Sequence, residues 1–297
     1  MEMMFIMIAG MTTTNQRTVR PGVGTSTRNP AAAEAVFLDV TRRLLAPLRI
    51  SDGDIAVDVG PGAGSATVAM AAAVGPRGRV YAVDLDPAML DATMAAAREA
   101  GVAERVLPVA HDLEEGAPPL PEPVDAIWSS ACLHHTLDWE ASVRALASAL
   151  RPGGTLCVAE GGLPTRCLPW DAGVGLPGLE IRLDEAHNRW STQWFAGRTG
   201  ARRQRRGWTE VLRAAGLVEV TSVTELLDLP APVSDQVRTV VIEELAARVA
   251  RATPFLDEND RATWELLLDP TGAHWLGHRA DLGLLTARTA YLGRTPR

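Results

Sequence analysis

The chain has 297 residues, 46% of them hydrophobic, which is enough for a packed core in one large domain or in a core with insertions. Its net charge of −7 and pI near 5.4 disfavour a broad nucleic-acid surface, which needs positive charge to neutralise phosphates. All 29 basic residues are arginine, so Schiff-base and pyridoxal-phosphate lysine chemistry are excluded.

The chain opens on MEMMFIMIAGM, which is apolar but too brief to span a membrane and lacks a basic flank. The expectation is that these residues precede a native start at Met11 and are not a signal peptide. Residues 1–30 as a whole, rich in Thr, Arg, Gly and Pro after position 11, are expected to be mobile. Over 31–48, Val36, Phe37, Val40, Leu44 and Leu45 recur at helical spacing. Ile55, Val57 and Val59 then alternate as a short buried strand ending in the turn Gly60-Pro61-Gly62-Ala63-Gly64, and the helix-like run SATVAMAAAV follows. A second strand, RVYAVD, ends at Asp84. Beyond Leu85, Asp86 before Pro87 is a helix N-cap.

A strand, a glycine turn, a helix and an acid closing the next strand form the nucleotide-binding half of a doubly wound sheet. Glycines let backbone approach a ligand, and Asp84 can accept hydrogen bonds from two ribose hydroxyls. The spacing is G-x-G-x-G; the dinucleotide fingerprint would put its last glycine at position 65, which is serine. No G-K-[ST] occurs, so a P-loop is out. An adenosine ligand without phosphates is left.

Strand and helix patterns alternate regularly from 51 to 160, and parallel pairing follows. RVLPVAHDL (105–113) is a third strand ending at His111-Asp112, and VDAIWSSACLHH (124–135) is a fourth strand and its turn. Residues 139–162 read as a helix, an R-P-G-G turn and a fifth strand. Residues 205–223 are a helix and sixth strand, and LLTARTAYLGR (284–294) is the last strand.

In these motifs and their order the chain resembles the class I S-adenosylmethionine (SAM) dependent methyltransferases, well over about 30–160 and more loosely over 205–223 and 284–294. The resemblance implies an α/β fold, a doubly wound Rossmann-like seven-stranded sheet whose last strand is antiparallel, with helical lid insertions. It implies SAM as cofactor, bound by Asp58, Gly60, Pro61, Gly62, Gly64, Asp84 and Leu85. Asp112, flanked by His111 and Leu113, would contact the adenine amino group. Ser129 and Ser130 would approach the methionine end. Asp58 would bond loop amides or the SAM amino group.

Residues 31–160 are then the SAM-binding core, 161–204 a lid or substrate insertion, and 205–297 the rest of the core with a helical insertion at 225–283. Ligands bind beyond the carboxyl ends of strands in open α/β sheets. The 161–204 stretch leaves from such an end and can cover the substrate. In the second insertion, 234–252 is an amphipathic helix capped by Ser234, and 258–269 is another. Trp170, Trp190, Trp194, Trp264 and Trp275 lie in these two stretches, either as small local cores or as an aromatic wall for the acceptor. Trp190 and Trp194, four residues apart, can share a helix face.

Methyl transfer needs mainly a positioned nucleophile, with a base where the nucleophile is a hydroxyl or amine. His135 is the first candidate base, His134 the second, and His187 an alternative from the lid. The run RTGARRQRR (198–206) holds five arginines, either a solvated face or a grip on a substrate carboxylate or phosphate. Cys132, Cys157 and Cys167 lack C-x-x-C spacing, so no zinc site and no disulfide framework is indicated. The cytoplasm is the expected compartment. The expected function is methyl transfer to an O, N or C of a small molecule such as a specialised metabolite, without membrane or nucleic-acid partners. The alternatives are a SAM-binding protein that transfers no methyl group and a peptide or RNA methyltransferase, and a homodimer is left open.

Overall fold

The computed structural model describes residues 29–297. The expectations for 1–30 therefore lie outside the described residues, apart from Asn29 and Pro30. Helix α1 (Pro30–Leu45) starts with Pro in its first turn, and the Asn29 side chain accepts a hydrogen bond from the Ala32 amide. Its buried side is Val40, Leu44 and Leu45.

The alternating core follows as the patterns predict: β1 (Ile55–Val59), α2 (Ser65–Ala73), β2 (Arg79–Asp84), α3 (Pro87–Glu99), β3 (Val106–Ala110), β4 (Val124–Ser130), α4 (Trp139–Ser148) and β5 (Leu150–Arg166). The Asp86 carboxylate caps α3 by accepting from the Ala88 amide at 2.9 Å. After β5 come α5 (Leu179–Ala196), α6 (Trp208–Ala214), β6 (Val218–Leu229), α7 (Asp235–Ala252), α8 (Glu258–Leu268) and β7 (Leu284–Arg294). Strand β5 runs to Arg166, so the first residues of the 161–204 stretch extend the sheet before the insertion begins.

The strands form one seven-stranded sheet, ordered β3-β2-β1-β4-β5-β7-β6. Neighbours are parallel except for β7, which runs antiparallel to both β5 and β6. The strand order reverses between β1 and β4, and the crevice at that switch point is where a doubly wound sheet binds its ligand. Successive side chains alternate between the faces. In β4, Ala126 and Trp128 pack with Val40, Met70 and Val80, while Ile127 packs with Leu146, Leu156 and Leu212 on the other side.

Both insertions fold over the same edge. Arg248 of α7 pairs with Asp184 of α5, and α7 also touches α1. Among the tryptophans, Trp264 is fully buried as local core and Trp170 is 71% exposed, so neither belongs to an acceptor wall. Trp139 and Trp208 stack at 5.0 Å between α4 and α6. Among the described residues no helix is long and apolar enough to cross a membrane.

Candidate active site

A cavity of about 1250 Å³ opens at the carboxyl ends of β1, β2 and β4 and continues under α1, α5 and α7. Its floor is the turn after β1. Gly60 and Gly62 have φ of 72° and 60°, in the left-handed region that glycine adopts without strain. A Cβ at Gly60 would stand 2.6 Å from the Cys132 sulfur, and one at Gly62 would stand 2.5 Å from Glu34 Oε1. Both positions therefore need hydrogen in place of a side chain. Gly64 caps α2 and lies back from the cavity, where a Cβ would meet the Thr93 Cα at 2.9 Å. Close packing against α3 accounts for a glycine here.

The N-terminus of α2 is already occupied. The amides of Ala63 and Ser65 donate to the two carboxylate oxygens of Glu34, at 2.6 and 2.9 Å. A dinucleotide would place its pyrophosphate on this helix end. Glu34 closes that place to a second anion, while the rest of the crevice stays open.

Asp84 lines the cavity at the end of β2, with Oδ1 accepting from the Asp86 amide at 2.8 Å. Leu85 lies beside it, 46% exposed. On the neighbouring rim His111 donates from Nε2 to the Gly116 carbonyl at 3.1 Å, Asp112 accepts from the Glu114 amide at 3.0 Å, and Leu113 completes the edge. Pro61 and Ser130 line the cavity, whereas Ser129 is fully buried and does not. Strand alternation turns Ser129 to the opposite side of the sheet from Ser130. Asp58, 1% exposed, accepts from the Thr67 hydroxyl at 2.6 Å. Burial pushes its carboxyl up to about 7; the Thr67 bond opposes this, and the charges of Glu34 and Asp84 reinforce it.

The turn Leu133–His135 brings the histidine pair to the cavity wall, their rings 3.9 Å apart. Glu160, 5% exposed near the cavity end of β5, binds this turn in three ways. Its Oε1 accepts from the amides of Cys132 and His134, at 2.9 and 3.3 Å. Its Oε2 accepts from His134 Nδ1 at 2.8 Å. Burial lowers the His134 pKa, but the Glu160 charge and hydrogen bond outweigh it, and the net shift is upward. His135 meets the edge of Trp194 at 5.9 Å. The Cys132 thiol is pushed up to about 12, first by burial and then by Glu160, so it stays protonated and is no nucleophile.

The far wall is α5. His187, Trp190 and Trp194 all line the cavity, with the two indoles 6.2 Å apart. The His187 Nδ1 is buried without a hydrogen-bond partner among the described residues. Burial, Arg251 and Arg248 hold its pKa below the ordinary value. In the arginine run, Arg198 lies over Trp194 at 4.8 Å and donates to the His135 carbonyl, and Arg202 binds Asp138 at 3.2 Å. Those two arginines tie the end of α5 to the histidine turn. Glu34, Glu160, Glu244, Arg251 and Arg288 also line or brace the site and were missed by sequence reasoning. Only Glu160 left a signal, as the acid that follows the buried run LCVA. The others reach the site through helix orientation.

Fold and site together define a Rossmann-like domain with a crevice at the switch point of its sheet and a carboxylate, Glu34, on the amides that open α2. Residues 56–154 match the family model described as a methyltransferase domain, and they form a methyltransferase domain of the class I, SAM-dependent type. The chain is 32% identical over 111 residues to the ubiquinone/menaquinone biosynthesis C-methyltransferase UbiE of Vibrio cholerae, covering 36% of this chain and 41% of that protein. It is 42% identical over 78 residues to a probable cobalt-precorrin-6B C(15)-methyltransferase (decarboxylating) of Pyrobaculum calidifontis, covering 26% and 40%. The match thus spans less than half the length of these curated relatives. A putative methyltransferase from Bacillus halodurans shares the fold, with a TM-score of 0.52 at 14% identity over 87% of this chain and all of that one. SAM is the cofactor that the family implies, and a crevice with Asp84 at its rim and Glu34 on the α2 amides fits it.

Proposed function

We propose that this chain transfers a methyl group from SAM to a nucleophilic O, N or C of a small-molecule acceptor. One observation carries the reading: a single cavity joins the glycine turn and Asp84 to a chamber walled by Trp190 and Trp194. A continuous, partly apolar cavity beneath three helices suits an acceptor smaller than a protein or an RNA.

When bound, SAM supplies an activated methyl group. Asp84 holds the ribose, and Asp112 and Leu113 bound the adenine. The backbone at Gly60 and Gly62 lets the methionine end lie close to the sheet. His134 is the base: Glu160 takes its Nδ1 proton in a hydrogen bond, which leaves Nε2 as the acceptor in the neutral ring. His135 and Trp194 shape the wall beside it. A base of this kind contributes about 10² to 10⁴ in rate.

The test is incubation with methyl-labelled SAM and a fractionated cell extract. Label in the low-molecular-weight fraction supports the proposal. Label confined to protein or RNA overturns it. Tight S-adenosylhomocysteine binding with no label anywhere favours a SAM-binding protein that transfers nothing.

A further inference from the structure

The chamber between α5, α7 and β7 is built around arginines. Asp184 serves two of them, accepting from Arg166 at 2.6 Å and from Arg248. Glu180 is engaged by the backbone amides of Cys167 and Leu168. Arg251, in the last turn of α7, and Arg288, on β7, both line the cavity. Among the described residues neither guanidinium makes an ion pair or a hydrogen bond. Arg251 rests over the Trp190 ring at 5.6 Å, with its Nε buried and unpartnered. Arg288 rests over Phe37 at 3.9 Å. Glu244 is the acid whose field reaches both, and Glu34 also reaches Arg288. Neither lies within ion-pair distance of either guanidinium.

A guanidinium removed from water needs a counterion or a full set of acceptors. Burial is the largest influence on both groups and disfavours their charge. At neutral pH an arginine still keeps its proton, so an anion entering the cavity would gain two guanidinium partners. The field has the matching sign. After burial, Arg251 and Arg248 are what depress the His187 pKa, and Glu244 and Asp184 offset them only in part.

We propose that Arg251 and Arg288 bind a carboxylate carried by the acceptor, and that the acceptor is a planar, aromatic acid. This rests on the methyltransferase reading above. Glu244 and Glu34 already place negative charge near the two guanidinium groups, so a singly charged carboxylate meets less repulsion there than a doubly charged phosphate. Trp190, Trp194 and Phe37 offer flat apolar surfaces around the two cations. The carboxylate grip therefore belongs to α7 and β7, not to the arginine run of 198–206.

The test uses the whole chain and calorimetry. S-adenosylhomocysteine is titrated first; no binding defeats the methyltransferase reading, and the acid arm is still read on the ligand-free protein. Naphthalene-2-carboxylate, indole-3-carboxylate and cinnamate are then titrated beside their neutral primary amides. The expected result is that at least one acid binds about tenfold or more tighter than its amide, the scale of one charge-assisted contact. Arg251→Gln and Arg288→Gln should each weaken that acid about tenfold while leaving its amide and S-adenosylhomocysteine within about twofold. Acids that bind no tighter than amides, no acid binding at all, or full acid affinity in both variants overturns the proposal. Inorganic phosphate binding tighter than any acid overturns the choice of carboxylate. An equal loss of S-adenosylhomocysteine affinity in Arg288→Gln moves that residue to the cofactor and overturns its part. If a variant fails to fold, the comparison of acid with amide on the native chain decides alone.

Discussion

Two carboxylates of the proposed site stand in different surroundings. Asp84 stands at a strand end on the cavity rim, where a ribose can reach it. Asp84→Ala should weaken S-adenosylhomocysteine binding at least about tenfold, since each charge-assisted bond is worth about 1.5–3 kcal/mol. Unchanged affinity by calorimetry in a folded variant would remove Asp84 from the ribose. Glu160 is buried and acts through His134. With Glu160→Gln the charge that raises the His134 pKa is gone, and burial alone remains. The imidazole should then titrate lower, measurable by NMR of the ring protons. In the native protein the methyl-transfer rate should rise with pH as His134 loses its proton, at a pH above the ordinary histidine value of 6.5. In the variant this limb should shift to lower pH. A limb that stays in place would show that another group, with His135 and His187 the next to try, is the base.

Helix α1 is the element whose role changes most between sequence and structure. Its apolar spacing marks it as a helix, but its functional residue is Glu34, which reaches the amides at the start of α2. The partial positive charge of a helix N-terminus makes that a favourable place for a carboxylate. Glu34→Ala should lower stability by about 1–2 kcal/mol, in line with loss of a helix cap. Sulfate should then raise the melting temperature of the variant more than that of the native protein, because the helix end is open to an external anion. Equal sulfate responses would show that Glu34 does not fill this place. Helices α5 and α7 depend on each other in a similar way. Each presents one face to the cavity, and Asp184 with Arg248 joins them.

At the scale of the whole molecule, Asp58 couples stability to pH. Its folded pKa is about 7 against an ordinary 3.8. Between those values the folded state holds a proton that the unfolded chain releases. Stability therefore falls as pH rises through this window and levels off above it, by at most about 1.4 kcal/mol per pH unit. Urea denaturation of the ligand-free protein at pH 5 and pH 8 should show Asp58→Asn losing less stability across that interval than the native chain. Identical slopes would mean that the buried carboxyl is ionised throughout. The two inserted segments matter at this scale too, since their helices wall the cavity at the carboxyl ends of the strands.

The sequence by itself determined the sheet, and it pointed to the residues proposed for the cofactor end of the site. Alternating Val57 and Val59, the glycine turn, Asp84 and Asp112 depend on neighbours within a few residues, and short-range geometry dictates what such residues do. It also marked Trp190 and Trp194 as sharing a face, because helix periodicity is local. It did not foresee that Gly64 packs tightly against Thr93 or that Ser129 is fully buried. The tertiary structure alone decided that Glu160 meets His134 across 26 positions, that Glu34 closes the start of α2 across 31, and that Arg251 and Arg288 share one chamber. Those meetings depend on how helices dock on a twisted sheet. Docking is set by packing summed over many residues, and no spacing within the chain encodes it.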